Sequence, residues 1–313
     1  MPGVYGSAEP LFLLLFALGI EALYGGVSFL EKWLPKPRRL LAGIIVRFDR
    51  LLNDSTSSSS IAVVTGGLSA IVLIFLAALV GFGISLISLN APFLWLIEVF
   101  MIALCLDYRN QQVRMRKVRK ALALKSYITV RGELYPLVSS LFRVRDLEKL
   151  SESQLAAACV GGMARGFVEG FLTSVFWYAI LGLPGLFVQQ AVYQGALFYK
   201  QRYLQAPQEK HFSQMYFILE RIFIVVPDAL AALMFIVSTL FIPKTSFSQS
   251  FIRCWRGKHM ADAALGGALQ LDLSQPSPTN WRQELERGNM IVLIAGIMAV
   301  GLIAGAILVR FAF

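Results

Sequence analysis

The chain has 313 residues, of which 57% are hydrophobic and 15% charged, with a mean hydropathy of +0.64 and a formal charge of +10. That composition excludes an ordinary soluble domain. The positive charge does not mark a nucleic-acid binder, because the basic residues sit in loops beside apolar runs and form no separate basic domain. Cys105, Cys159 and Cys254 are widely spaced without a Cys-x-x-Cys, and His211 and His259 stand alone, which excludes a disulfide framework, a zinc knuckle and a histidine metal motif.

Several apolar runs are long enough to cross a hydrocarbon core of roughly 30 Å at about 1.5 Å per residue. They are continuous and not alternating, and backbone polar groups in lipid must be satisfied internally, so the spans are helices and not barrel strands. The expected fold is all-α: a polytopic integral membrane helical bundle with re-entrant or kinked helices and cytoplasmic amphipathic helices. One membrane domain of about five to seven membrane helices covers residues 1–313, with basic cytoplasmic segments at 31–60 and 107–160 and a polar segment at 243–289. The expected location is a membrane whose cytoplasmic side carries the basic segments, with the lipid bilayer and anionic headgroups as partners.

The N-terminal MPGVYGSAEP lacks the basic region and cleavage pattern of a secretory signal, so Leu11 to Leu30, carrying Glu21 and Gly25-Gly26, is expected to remain as the first membrane helix. The next stretch, EKWLPKPRRLLAGIIVRFDRLLND, holds six Lys and Arg residues and an amphipathic pattern after its prolines, the mark of a membrane-surface segment. A serine run over 55–60 is a linker, with Ser60 as N-cap of the following helix. Ile61 to Leu89 and Phe93 to Leu106, the latter carrying Glu98, form a helical hairpin around Asn90-Ala-Pro92. From Asp107 to Leu150 eleven Lys and Arg residues face four acids, which places that segment on the cytoplasmic side. Within it Met115, Val118 and Leu122 make an apolar stripe among Arg114, Arg116, Lys117, Arg119 and Lys120, a basic amphipathic helix for the inner leaflet; binding of substrate phosphates is the other reading.

The stretch GGMARGFVEGFLTSVFWYAILGLPG, Gly161 to Gly185, brings Arg165 and Glu169 into an apolar helix that ends in a Gly-Leu-Pro-Gly turn. Ionisable groups in such a place are site candidates, and the four-residue spacing lets the two pair on one helix face. After the turn, Gln189, Gln190, Tyr193 and Gln194 are too polar for a lipid-facing helix and are expected to pack against other helices. Tyr216 to Ile242 is interrupted by Pro227-Asp228, giving either a kinked span or two half-helices. The charge rule favours the re-entrant version, which keeps Arg253, Arg256 and Lys258 on the side of the other basic segments. Met290 to Phe313 is the last span, uncharged until Arg310.

Taken together, over about residues 20 to 280, these features resemble the CobD/CbiB membrane proteins of cobalamin biosynthesis, with AmpE-type proteins as a divergent branch. Lys36-Pro37-Arg38-Arg39 is similar to that family's His-Pro-x-Arg element, Arg109 to its cytoplasmic-helix arginine, and Val144-Arg145-Asp146 to its Gly-Arg-Asp. Ala164, Gly170, Phe176 and Gly182-Leu183-Pro184-Gly185 match the diagnostic family stretch, in which Glu169 stands for an aspartate while Arg165 replaces a glutamate. LERIFIVVPDALA keeps Leu219, Glu220 and Pro227 of a second motif but has Arg221 for an aspartate, and Asp262-Ala-Ala-Leu-Gly-Gly-Ala-Leu resembles a third. The resemblance implies an ATP-dependent amide-forming ligase, adenosylcobinamide-phosphate synthase, joining aminopropanol or ethanolamine phosphate to adenosylcobyric acid. It implies catalytic carboxylates at Glu169, Glu220 and Asp262, phosphate or substrate contacts at Arg39, Arg109 and Arg145, and ATP with Mg²⁺ where activity is retained; Arg165 and Arg221, which stand where the family has acids, are candidates for binding an anionic substrate, phosphate or lipid phosphate instead. The exchanged acids support the alternative, a catalytically silent AmpE-like sensor, scaffold or regulatory subunit, whose partner is a corrinoid or another membrane protein. Two arrangements are open for Arg165: paired with Glu169, or directed into a cavity with Arg221.

Overall fold

The computed structural model describes residues 10–24, 37–53, 58–90, 93–138, 149–205, 210–257, 259–271 and 281–312. All regular structure among them is helical, the expected result where each apolar run must satisfy its own backbone. The chain packs as two compact units: residues 1–107, 173–223 and 303–313 form the first, and 108–172 and 224–302 the second.

The first unit is built from α1 (Pro10–Tyr24), α2 (Pro37–Leu52), α3 (Ser59–Asn90), α4 (Trp95–Cys105), most of its remaining mass coming from α8 (Thr173–Gln205) and the start of α9 (Lys210–Ser238). Helix α3 begins at Ser59, and Ala62 N donates to Ser58 O, so Ser60 lies inside the first turn and is not the N-cap. The apolar α3 packs along α8, and glycines set how closely it is approached. A Cβ at Gly81 would stand 2.7 Å from Pro184 Cα, and one at Gly66 would stand 2.1 Å from Phe212 O, so both contacts are backbone to backbone. The expected Gly-Leu-Pro-Gly turn is present, as a sharp kink that separates two helical stretches of α8. Gly182 adopts φ 66°, ψ −153°, a conformation closed to residues with a Cβ, and the helix resumes beyond it.

Gln189 and Gln190 are buried, as their polarity in an apolar run predicts. Gln190 Nε2 donates to Ser174 Oγ at 2.9 Å, and Ser174 Oγ donates to Gln189 Oε1 at 3.2 Å. Buried Glu98 accepts from Tyr178 Oη at 3.0 Å, and Arg202 pairs with Asp49, which also accepts from Asn53 Nδ2 at 2.9 Å.

Helix α9 corrects the re-entrant expectation: it runs unbroken through Pro227. Proline lacks the N–H that Phe223 O, four residues back, would accept, and Trp177 Nε1 donates to that carbonyl instead at 2.9 Å. The indole also lies 4.6 Å from the Phe223 ring, centroid to centroid. Trp177→Phe keeps the ring contact and orphans the carbonyl. It is expected to cost about 1–3 kcal/mol, read as a lower thermal unfolding midpoint in detergent. An unchanged midpoint would show that α9 tolerates Pro227 without this donor.

The second unit contains α5 (Tyr108–Ala123), α6 (Tyr127–Val138), α7 (Glu152–Phe167), a π-helical turn (Val168–Leu172), α10 (Phe247–Cys254), α11 (Met260–Ala268) and most of α12 (Trp281–Ala312). Ser151 caps α7 through a capping box with Gln154. In α5 the stripe of Met115, Val118 and Leu122 is buried, and the helix packs on α6 and α7, so its apolar face belongs to the protein interior and not to a leaflet. Phe167 anchors the aromatic centre of this unit, 5.5 Å from Phe171 and 5.3 Å from Phe235 between ring centroids.

Among the described residues four helices are long and apolar enough to cross a membrane: Ser59–Ser88, Gln154–Arg202, His211–Phe241 and Trp281–Arg310. The chain is therefore a multi-pass membrane protein. Helix α4 is apolar but 11 residues long, short of the about 20 that a full crossing takes, and the described part of the apolar α1 covers 15 residues.

Candidate functional site

Small residues clear the ground around the candidate site in the second unit. Gly166 and Gly170, one turn apart, leave the space that the Gln111 side chain of α5 fills; a Cβ at either would stand 2.5 Å or 2.2 Å from its amide. Between them the helix widens into the π turn that carries Glu169. Such turns insert one residue into an α-helix and recur at functional sites. Bonds in a π turn run to i+5, which moves Glu169 off the row that Arg165 would reach at i+4.

Arg165 accordingly pairs elsewhere, which corrects the local pairing expected from spacing. Its Nε donates to Asp262 Oδ2 on α11 at 2.8 Å, 97 residues away, with both side chains only 15% exposed. Helix α11 is held in place by Asp228 of α9, whose two oxygens accept from Met260 N at 2.8 Å and Ala261 N at 3.1 Å. A carboxylate at a helix N-terminus satisfies orphan amides and complements the dipole, which explains the buried Asp228 beside Pro227. Burial pushes the Asp262 carboxyl up to about 6; the Arg165 guanidinium pulls it down, while Glu169 and Asp228 add to the rise.

Asp262 also lines a pocket of about 230 Å³ with Arg253, Arg256, Gly257 and the Gly266-Gly267 pair. Arg253 is steadied by donation from Nη1 to Leu271 O at 2.6 Å. At Gly267 a Cβ would stand 2.5 Å from Gln249 O, so α10 and α11 touch through backbone, and the two arginines line the same pocket as the acid. The arrangement offers a carboxyl that exchanges protons near neutral pH, positioned by one guanidinium and next to two more that suit an anion.

Glu220, buried in the first unit, is neutralised by Lys200 at 2.7 Å, and Arg221 beside it is exposed. The guanidinium of Arg165 is engaged by Asp262, whereas Arg221 belongs to the first unit. Arg109 is exposed in the first turn of α5; Arg39 lies in α2 with its side chain outside the described residues, and Arg145 lies outside them altogether. Glu169 makes no hydrogen bond or ion pair among the described residues, and it approaches Asp262 closely enough to repel it. No group of three or more His, Cys, Asp or Glu side chains among the described residues could hold a metal. Asp262 is taken by Arg165 and Asp228 by α11, so this donor set does not fit Mg²⁺, which needs several hard oxygen ligands.

Arg253 and Arg256 belong to no motif that sequence reasoning recognises as a site, and their one signal in the sequence is their place in the charge distribution. Sequence reasoning also misses the polar centre of the first unit. There Arg38 donates from Nη1 to Asp107 Oδ2 at 2.8 Å, from Nη2 to Cys105 O at 2.9 Å and from Nε to Gln190 Oε1 at 3.1 Å. The available signal was an aspartate set directly after an apolar helix, opposite an arginine set directly after a proline.

The model of the family described as CobD/Cbib protein matches residues 14–201. Proteins named cobalamin biosynthesis protein CobD from a Sinorhizobium species and from Sinorhizobium fredii are 26% and 27% identical over 181 and 183 residues, 58% of this chain and 54% of theirs. A probable cobalamin biosynthesis protein CobD from Thermoplasma volcanium is 33% identical over 48 residues, 15% of this chain and 16% of its own. The chain thus spans about half the length of the first two relatives. No solved structure gives a significant match. The match is shorter than the resemblance drawn over residues 20 to 280, and Glu220, Arg221 and Asp262 lie beyond it.

Proposed function

Because this chain belongs to the CobD/Cbib protein family, we propose that it catalyses an amide condensation of cobalamin biosynthesis in the bacterial cytoplasmic membrane. The reaction is that of adenosylcobinamide-phosphate synthase, joining aminopropanol or ethanolamine phosphate to adenosylcobyric acid. The family match across residues 14–201 carries the reading. The amine must lose a proton before its nitrogen attacks an activated carboxyl, and Asp262, titrating near 6 beside a pocket, is the base that accepts it. Arg165 holds this carboxylate in place, and Arg253 and Arg256 hold the phosphate of the amino alcohol. Glu169 and Glu220 are further carboxylates of the proposal, and Arg39, Arg109, Arg145 and Arg221 further phosphate contacts. ATP would activate the substrate carboxylate, and no step is assigned to Mg²⁺. The basic segments face anionic headgroups of the bilayer.

A second reading, an AmpE-like sensor or scaffold without catalysis, is favoured by the engagement of Asp262 by Arg165 and of Glu220 by Lys200. Complementation separates them. In a strain lacking adenosylcobinamide-phosphate synthase, supplied with cobyric acid and aminopropanol phosphate, the native chain is expected to restore growth and Asp262→Asn to abolish it. No growth from a native chain that is expressed and inserted in the membrane would sink the enzyme reading in favour of the scaffold.

A further inference from the structure

The second unit contains another pocket, of about 470 Å³, between α5 and the start of α12. Arg116, Arg119 and Lys120 come from α5, where spacings of three and four residues set them on one face. Arg282 comes from α12, its guanidinium 5.2 Å from the Trp281 ring centroid and its Nη2 donating to Ala123 O at 3.4 Å. Among the described residues Glu286 is the one acid in the pocket wall, and its contact with Arg119 is loose at 3.9 Å. Like charges gathered this way repel one another, so the pocket is electrostatically incomplete without an anion.

The surroundings narrow the kind of anion. The pocket opens at the first residues of the candidate span Trp281–Arg310, and its wall includes an indole and the apolar Leu285 and Ala123. Trp and basic residues at a span terminus are the side chains that settle at headgroup level. Arginines suit phosphate oxygens, and an indole beside them suits the glycerol region. We propose that this pocket binds the phosphodiester headgroup of an anionic phospholipid. This inference rests on the membrane reading of α12 and not on the proposed reaction, so complementation leaves it untouched.

Native mass spectrometry of the full chain in a neutral detergent tests it, with dioleoylphosphatidylglycerol and dioleoylphosphatidylcholine as probes. The native chain is expected to retain the anionic lipid about tenfold more strongly, and Arg116→Gln with Lys120→Gln to bring the ratio close to one. Arg116 and Lys120 are exposed, so an unchanged unfolding midpoint checks that this variant folds. Glu286→Gln removes the competing acid and is expected to strengthen retention about threefold, a gain that misfolding cannot produce. Millimolar inorganic phosphate is expected to leave the lipid bound. Equal retention of both lipids, a preference unchanged in the double variant, or displacement by phosphate would each overturn the proposal, the last by giving the pocket to a soluble anion.

Discussion

Replacing Arg38 with alanine is expected to destabilise the protein by about 3–5 kcal/mol, the range found when one partner of a buried ion pair is removed. Arg38 follows Pro37 at the first turn of α2, and its guanidinium ties three parts of the first unit together through Asp107, Cys105 O and Gln190. Its side chain is 16% exposed and Gln190 is fully buried, so little water can replace the lost donors. Gln190 is itself bonded to Ser174, and the loss passes into α8. Arg38→Lys is expected to recover only part of the stability, since a single ammonium cannot fork toward three acceptors as a guanidinium does. Arg38→Leu with Asp107→Leu is expected to cost less than Arg38→Ala alone, because no charge is left stranded. The measurement is thermal unfolding in detergent, where the alanine variant should melt about 10 °C lower. A midpoint within about 2 °C of the native chain would show that the network is not what holds α2 in place.

What could be read from the sequence divides along the range of the interactions. Gln189 and Gln190 announced burial because two amides in an apolar run need partners, and both found them. Gly182 announced a break because its neighbours Pro184 and Gly185 disfavour a plain helix, and φ 66° is the form that break takes. The re-entrant reading of Pro227 failed for a different reason. Local rules count the missing N–H of proline, but they cannot see Trp177, 46 residues earlier, supplying a donor to Phe223 O. Motif matching pointed to Arg39 where the described network is built on Arg38; helical phase next to a proline is decided by what packs around it, here Asp107 and Gln190. The same limit explains Arg165. Its i+4 neighbour was visible, whereas the π turn that moves Glu169 aside and the fold that brings Asp262 within 2.8 Å were not. Asp228 looked like an interruption of a span, and it is the cap that positions the helix bearing Asp262.

Arg165→Ala is expected to make stability depend steeply on pH, and the sign follows from the Asp262 carboxyl. Its folded value, about 6, lies above the ordinary 3.8, so over that interval the folded state binds more protons than the unfolded state. For the native chain this contribution is fully present below about pH 4 and is lost as pH rises through 6. A shift of that size corresponds to about 3 kcal/mol, and Asp262→Asn should abolish this part of the pH dependence. Without Arg165 the carboxyl keeps Glu169 and Asp228 as neighbours and loses the cation that opposed burial, so its titration moves further up. The destabilisation by Arg165→Ala should therefore be greatest near pH 8, about 3–5 kcal/mol, where Asp262 must be charged and unpaired. At pH 5 the same variant should lose much less, because the protonated acid needs no counter-ion. Arg165→Ala combined with Asp262→Asn should flatten the curve. If the single variant loses the same stability at both pH values, the arginine supports the unit by packing and not by holding a carboxylate. The reaction proposed above offers a second readout of the same charge. With Asp262 as base, the acid limb of the pH–rate profile should move to higher pH in Arg165→Ala, a shift that loss of packing alone does not produce.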